Sequence, residues 1–142
     1  MLVIDANIAL ALVIPVSYSN QASERFAAWA ESLTVLAAPA LFGFEVTSGL
    51  HKAVSLGVLT QERANSALES IFSLGIQELA ATPELHRAAL LWADRLGQTV
   101  AYDAYSIAAA ESVAASFWTA DRGLYDSARA ADADWVHLID ES

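Results

Sequence analysis

The chain has 142 residues, 56% of them apolar, and carries 17 acidic against 7 basic side chains, for a formal charge of −10 and a pI near 4.4. That length suits one domain with a full core, and so acidic a chain repels nucleic-acid phosphate at long range, which excludes binding through a broad basic face. The absence of cysteine excludes disulfides and thiolate metal sites, while the high apolar share favours a face covered by a second copy, a homodimer.

The first stretch, residues 1–4, is a short branched apolar run that meets Asp5 and Asn7 at its end, as a buried strand does when it delivers polar groups into a turn. A brief helix over residues 7–14 stops at Pro15, and a longer one over 21–32 carries Ala22, Phe26, Trp29 and Leu33 at helical spacing. No basic leader precedes the apolar run from Ile8 to Val16, which is too short to span a bilayer; a cytoplasmic protein with no membrane segment is expected.

Residues 33–37 have the pattern of a second strand, with Pro39 in the first turn of a helix that runs to Leu56 and ends at Gly57. Thr60 caps a helix to Ser73, Gly75 follows it, and residues 76–79 form a weak strand. Thr82, Pro83 and Glu84 open the clearest helix, closed at Gly97. An alanine-rich helix over 102–115, a strand over 116–119, a helix over 121–130 and a strand over 135–139 complete the chain.

Five strands separated by helices imply a parallel sheet with right-handed crossovers. The fold class is α/β, a three-layer α/β/α sandwich with a central parallel five-stranded sheet, in a single domain over residues 1–142.

Four acids stand out by position. Asp5 ends the first strand, and Asp121 follows the fourth. Asp103 opens the alanine-rich helix, and Glu45 sits beside the Phe42–Val46–Leu50 stripe of a helix entered directly from a strand, with small Ser48 and Gly49 leaving space next to it. Each has an ordinary alternative: helix cap for Asp5, Asp103 and Asp121, solvated glutamate for Glu45. If the first and fourth strands are neighbours, all four converge at the carboxyl edge of the sheet, where open parallel sheets bind ligands. Clustered carboxylates repel one another unless a cation neutralises them, and oxygen-only ligands select Mg²⁺ or Mn²⁺ over zinc. Such an ion joins an acidic protein to a phosphate, polarises the phosphoryl oxygen and activates an attacking water, which is the chemistry of a phosphodiesterase.

The segment Val3-Ile4-Asp5-Ala6-Asn7, the helical Glu45, Tyr102-Asp103-Ala104 and Thr119-Ala120-Asp121 resemble, in order and spacing over nearly the whole chain, the PIN-domain family. The compact length is most similar to the VapC-type toxins of VapBC toxin-antitoxin modules. The resemblance implies a PIN-like fold and a Mg²⁺- or Mn²⁺-dependent endoribonuclease, the toxin of a type II pair. It makes Asp5, Glu45, Asp103 and Asp121 the catalytic and metal-binding acids, Asp5 and Asp103 foremost. Asn7 and Thr119 match the polar positions that orient carboxylates or water. It also implies an RNA substrate, a homodimer, and a basic VapB-like antitoxin whose basic or aromatic side chains enter the acidic cleft.

Arg122 and Lys52 lie near these acids in sequence and are candidates for phosphate contact, although neither belongs to a basic cluster and both suit solvated surface. His51, His86 and His137 show no metal-ligand spacing. Aspartyl-phosphate phosphatases also place an Asp after their first strand. They require a second acid two positions later, where this chain has Asn7, and a later lysine, where the sole lysine is Lys52. The remaining alternative is a catalytically inactive PIN-like dimeric binding module for an antitoxin, against which the complete acidic quartet argues.

Overall fold

The computed structural model describes residues 1–140, so the last two positions of the expected 1–142 domain lie outside the described residues. Five strands form one parallel sheet: β1 (Leu2–Ile4), β2 (Leu36–Pro39), β3 (Gln77–Leu79), β4 (Ser116–Thr119) and β5 (Val136–Leu138), in spatial order β3-β2-β1-β4-β5. Between them run α1 (Ala6–Leu10), α2 (Ser19–Glu31), α3 (Leu41–Ser55), α4 (Gln61–Phe72), α5 (Pro83–Arg95), α6 (Ala104–Ser112) and α7 (Arg122–Ala130). The three-layer α/β/α reading of the sequence matches this architecture.

Side-chain alternation on the central strand divides the core. Leu2 and Ile4 face one layer with Ile8, Trp29, Phe42, Val46, Leu50 and Ile71, from α1 to α4. Val3 faces the other, with Leu85, Trp92, Ile107, Phe117, Leu124 and Val136, the layer of α5 to α7. The period-two pattern of β1 is therefore buried on both faces, as parallel sheets require, and most of the 56% apolar content fills these two cores.

Several expected boundaries move, the clearest for local reasons. Leu33 does not start β2; it stands at φ +55 and is 87% exposed, terminating α2. The Leu33 amide donates to the Ala30 carbonyl and the Thr34 amide to the Trp29 carbonyl, the paired bonds of a left-handed helix terminus, with leucine where glycine is usual. Pro39 is not in the first turn of α3 but is the last residue of β2, buried opposite Leu79. The β1–β2 register runs only through Val3 and Ala37, so the missing Pro39 N–H removes nothing from that ladder. The alanine-rich helix likewise starts at Ala104, after a turn, rather than at Tyr102.

Gly49 does not leave open space beside Glu45. A Cβ there would come within 2.5 Å of Leu10 Cδ1, so the glycine lets α1 pack closely on α3. Among the described residues no helix is long and apolar enough to cross a membrane.

The chain builds outward from β1 to β2 and β3, then returns to the other side of β1 for β4 and β5. Strand order therefore reverses between β1 and β4, and the crevice beyond their carboxyl ends is where doubly wound sheets hold ligands.

Candidate functional site

Register fixes the centre of that crevice. Leu2, Val3 and Ile4 pair with Ser116, Phe117 and Trp118, so one step further Asp5 and Thr119 lie side by side at the switch point. The Asp5 amide continues the ladder by donating to the Trp118 carbonyl at 2.9 Å. Above it the Thr119 hydroxyl donates to Asp5 Oδ2 at 2.7 Å.

Thr119 is fully buried and is the hub of a small network. Its Oγ1 accepts from the Asp121 amide at 3.0 Å and, more distantly, from Asn7 Nδ2 at 3.4 Å. Asn7 Oδ1 in turn accepts from the Ala120 amide at 3.2 Å. Asn7, Thr119 and the β4–α7 turn thus clamp the Asp5 side chain against the sheet.

The capping alternatives separate the acids. Asp5 precedes α1 in an extended conformation and Asp103 precedes α6 in a helical one, and neither side chain caps its helix. Asp121 does cap: its Oδ1 accepts from the Leu124 amide at 3.1 Å, leaving Oδ2 for another partner. Glu45, on the second turn of α3, is half-buried beside the core stripe of Phe42, Val46 and Leu50.

Electrostatics show that the four acids share one region. Burial first, then the charges of Asp103 and Asp121, push the Asp5 carboxyl up to about 6, against the opposing hydrogen bonds from Thr119 and the Ala6 backbone. Glu45 is pushed up to about 7 by burial and by Asp5 and Asp103, with no hydrogen bond offsetting the shift. Asp103 is raised by burial and by Asp121, partly opposed by a hydrogen bond from Gln98. The Tyr18 phenol, at the start of α2, is raised by burial and by Asp5 and Asp121.

Tyr18 and Gln98 border this region although sequence reading passed over both. A tyrosine in a loop between helices and a glutamine after a terminating glycine carry no motif, and only the closed fold brings them to the acids. Arg122 forms a surface ion pair with Asp140 at 3.7 Å, and Lys52 is exposed on α3. His51 and His86 are exposed, and His86 hydrogen-bonds Tyr105.

Among the described residues no three Asp, Glu or His side chains stand in a ready-made metal cage. The donor chemistry nevertheless fits a hard divalent ion. It is oxygen-only, and three carboxyls are held above their ordinary range by burial and by their neighbours' charge, an imbalance that a cation relieves.

Removing the hub hydroxyl has a calculable cost. Thr119→Val keeps the shape of the side chain but leaves the Asp121 amide and Asp5 Oδ2 without their partner. A loss of about 2–3 kcal/mol is expected from urea denaturation, with the Asp5 carboxyl pushed higher still. Unchanged stability and an unchanged Asp5 titration would contradict the network.

The model of the PIN domain family matches residues 2–130. No curated protein matches the sequence significantly. Among solved structures, PAE2754 from Pyrobaculum aerophilum superposes with a TM-score of 0.69 at 22% identity, covering 96% of this chain and 87% of that one. A toxin-antitoxin complex from Klebsiella pneumoniae superposes with a TM-score of 0.68 at 17% identity, covering 100% of both chains. VapBC2 from Rickettsia felis, bound to a DNA fragment from its promoter, gives a TM-score of 0.67 at 11% identity, covering 96% of both.

Proposed function

The chain belongs to the PIN-domain family, and from that premise we propose that it is a Mg²⁺- or Mn²⁺-dependent endoribonuclease, the toxin of a type II toxin-antitoxin pair. The observation that carries the reading is the convergence of Asp5, Glu45, Asp103 and Asp121 on the switch point between β1 and β4, where Asp5, Asp103 and Asp121 each raise the pKa of another of the four.

Asp5 and Asp103 would hold the ion directly, with Glu45 and Asp121 completing the acidic set. A bound Mg²⁺ or Mn²⁺ supplies charge neutralisation and Lewis-acid polarisation of the phosphodiester. Thr119 fixes the rotamer of Asp5 through its 2.7 Å hydrogen bond, and Asn7 holds the β4–α7 turn that carries Asp121. Burial and the charges of Asp5 and Asp103 push the Glu45 carboxyl up to about 7 in the empty site, and a bound cation would bring it down again. The site excludes phosphate at long range, so RNA affinity depends on neutralising this cluster first.

The toxin role rests on likeness to the Klebsiella pneumoniae toxin-antitoxin complex and the Rickettsia felis VapBC2 structure, together with the −10 charge, which attracts a basic VapB-like antitoxin. A homodimer is supported by apolar side chains left outside the two cores. Phe44, Leu90, Leu91 and Tyr102 are each more than three-fifths exposed, and Phe44 and Tyr102 flank an apolar cavity of about 240 Å³.

Purified protein is expected to cleave RNA endonucleolytically with Mn²⁺ or Mg²⁺ and to stop in EDTA. It should also bind Mn²⁺ by calorimetric titration. Metal binding without cleavage of any RNA would favour the non-catalytic binding module; cleavage that persists in EDTA would overturn the metal-dependent reading.

A further inference from the structure

Asp103 is the only one of the four acids that stands at a helix start without capping it and without the rigid support of a strand end. Its orientation must come from elsewhere. The Gln98 side-chain amide donates to Asp103 Oδ2 at 3.4 Å, across the turn that joins α5 to α6.

The backbone that presents Gln98 is fixed by the end of α5. Gly97 lies at φ +68; its amide donates to the Asp94 carbonyl and the Gln98 amide donates to the Ala93 carbonyl, both at 3.0 Å. These are the two bonds of the glycine-terminated helix end, so residue 98 is the first whose side chain is free to leave the helix in a determined direction. α5 is itself anchored, with Leu85, Ala89 and Trp92 buried and Trp92 Nε1 donating to Glu111 of α6 at 3.1 Å. The amide of Gln98 is thus held against Asp103 by the same helix pair that forms one core.

A second observation concerns the other end of the amide. Gln98 Oε1 is one of two buried side-chain polar atoms without a partner among the described residues, the other being Trp135 Nε1. An acceptor buried without a donor is costly, and an amide that only filled space would be better replaced by an apolar side chain. Gln98 keeps that acceptor buried while its amide N–H reaches a site acid, so the contact with Asp103 is what the amide supplies.

We infer that Gln98 is a positioning residue for Asp103, aiming the carboxylate into the acidic crevice. The inference rests on the proposed metal-dependent reading of the site but concerns a contact present without the ion. The 3.4 Å separation is long for such a bond and is expected to shorten when the crevice is filled.

The test uses the full chain and Gln98→Met, which keeps length and bulk while removing the amide, with Gln98→Ala as a second variant. In metal-free protein, NMR side-chain couplings of Asp103 should report one rotamer in the parent and rotamer averaging in both variants. The thermal midpoint should stay within a degree or two of the parent. Mn²⁺ affinity should fall about tenfold, the scale found when a supporting contact of a metal ligand is removed. In an Asp103→Asn background the Gln98→Met change should have no further effect on Mn²⁺ affinity.

An Asp103 rotamer distribution identical to that of the parent in both variants overturns the inference, whatever the protein does with metal. If Asp103 becomes rotamer-averaged in the variants but the parent chain takes up no Mn²⁺, the nuclease reading fails while the positioning contact stands.

Discussion

Replacing Asp5 and Asp103 together by alanine is expected to lower Mn²⁺-dependent RNA cleavage by on the order of a thousandfold or more, to background. Asp5 sits at the end of the central strand and Asp103 at the start of α6, yet the charge of Asp103 raises the Asp5 carboxyl, so the two are near enough to interact. On the proposed reading, removing both would take away the inner half of the donor set and leave Glu45 and Asp121 without the neighbours that would call for a cation. Single substitutions should each account for most of the loss, because groups that act as a unit do not contribute additively. Calorimetry provides the companion measurement: Mn²⁺ heat should vanish along with cleavage, while far-ultraviolet circular dichroism remains that of the parent. Undiminished cleavage by a folded double variant would sink the assignment of the site.

The same pair shows how far the sequence alone could be taken. Asp5 was legible because Leu2-Val3-Ile4 is too short and too apolar to be anything but a buried strand, and a strand end is a fixed place. Asp121 was legible for the same reason after β4. What the sequence could not decide was strand order: nothing local to Val3 or Phe117 says that they pair, and the convergence of the acids depends on that pairing. The capping alternatives were equally undecidable, since Asp5, Asp103 and Asp121 all precede helices; the structure shows capping by Asp121 alone.

The boundary shifts have the same origin. Leu33 reads as a strand residue because it is apolar, but the helix end places it in a left-handed turn facing water, a position normally marked by glycine. Pro39 reads as a helix opener because proline favours that position, but it is tolerated equally at the end of β2, beyond the last residue that β1 pairs with. Local propensity identified each element and misplaced its edge wherever tertiary register set the edge instead.

The largest stability effect should come from pH in the absence of metal. The Asp5 carboxyl lies near 3.8 in the unfolded chain and near 6 in the folded one, so between those values the folded state binds the extra proton. Stability contributed by that difference is fully present below about pH 4 and is lost as pH rises through about 6. A displacement of that size corresponds to on the order of 3 kcal/mol for Asp5. Glu45, raised to about 7, extends the decline towards neutrality, but its half-exposed carboxyl contributes less than its shift implies because water screens it. Urea denaturation in EDTA should therefore show metal-free protein losing stability between about pH 4 and pH 7. Mn²⁺ at a hundred times its dissociation constant should restore about 2.7 kcal/mol at neutral pH. Asp5→Asn separates the two halves of the effect. It removes the buried charge, so in EDTA at pH 7 the variant should be more stable than the parent and its pH slope shallower, while Mn²⁺ no longer stabilises it and cleavage is lost. A parent protein whose stability in EDTA rises steadily from pH 4 to pH 7 would mean that Asp5 is not held as a repelled, buried carboxyl. A site that destabilises the empty fold and is needed for catalysis is expected only where charge has been gathered for an ion to neutralise.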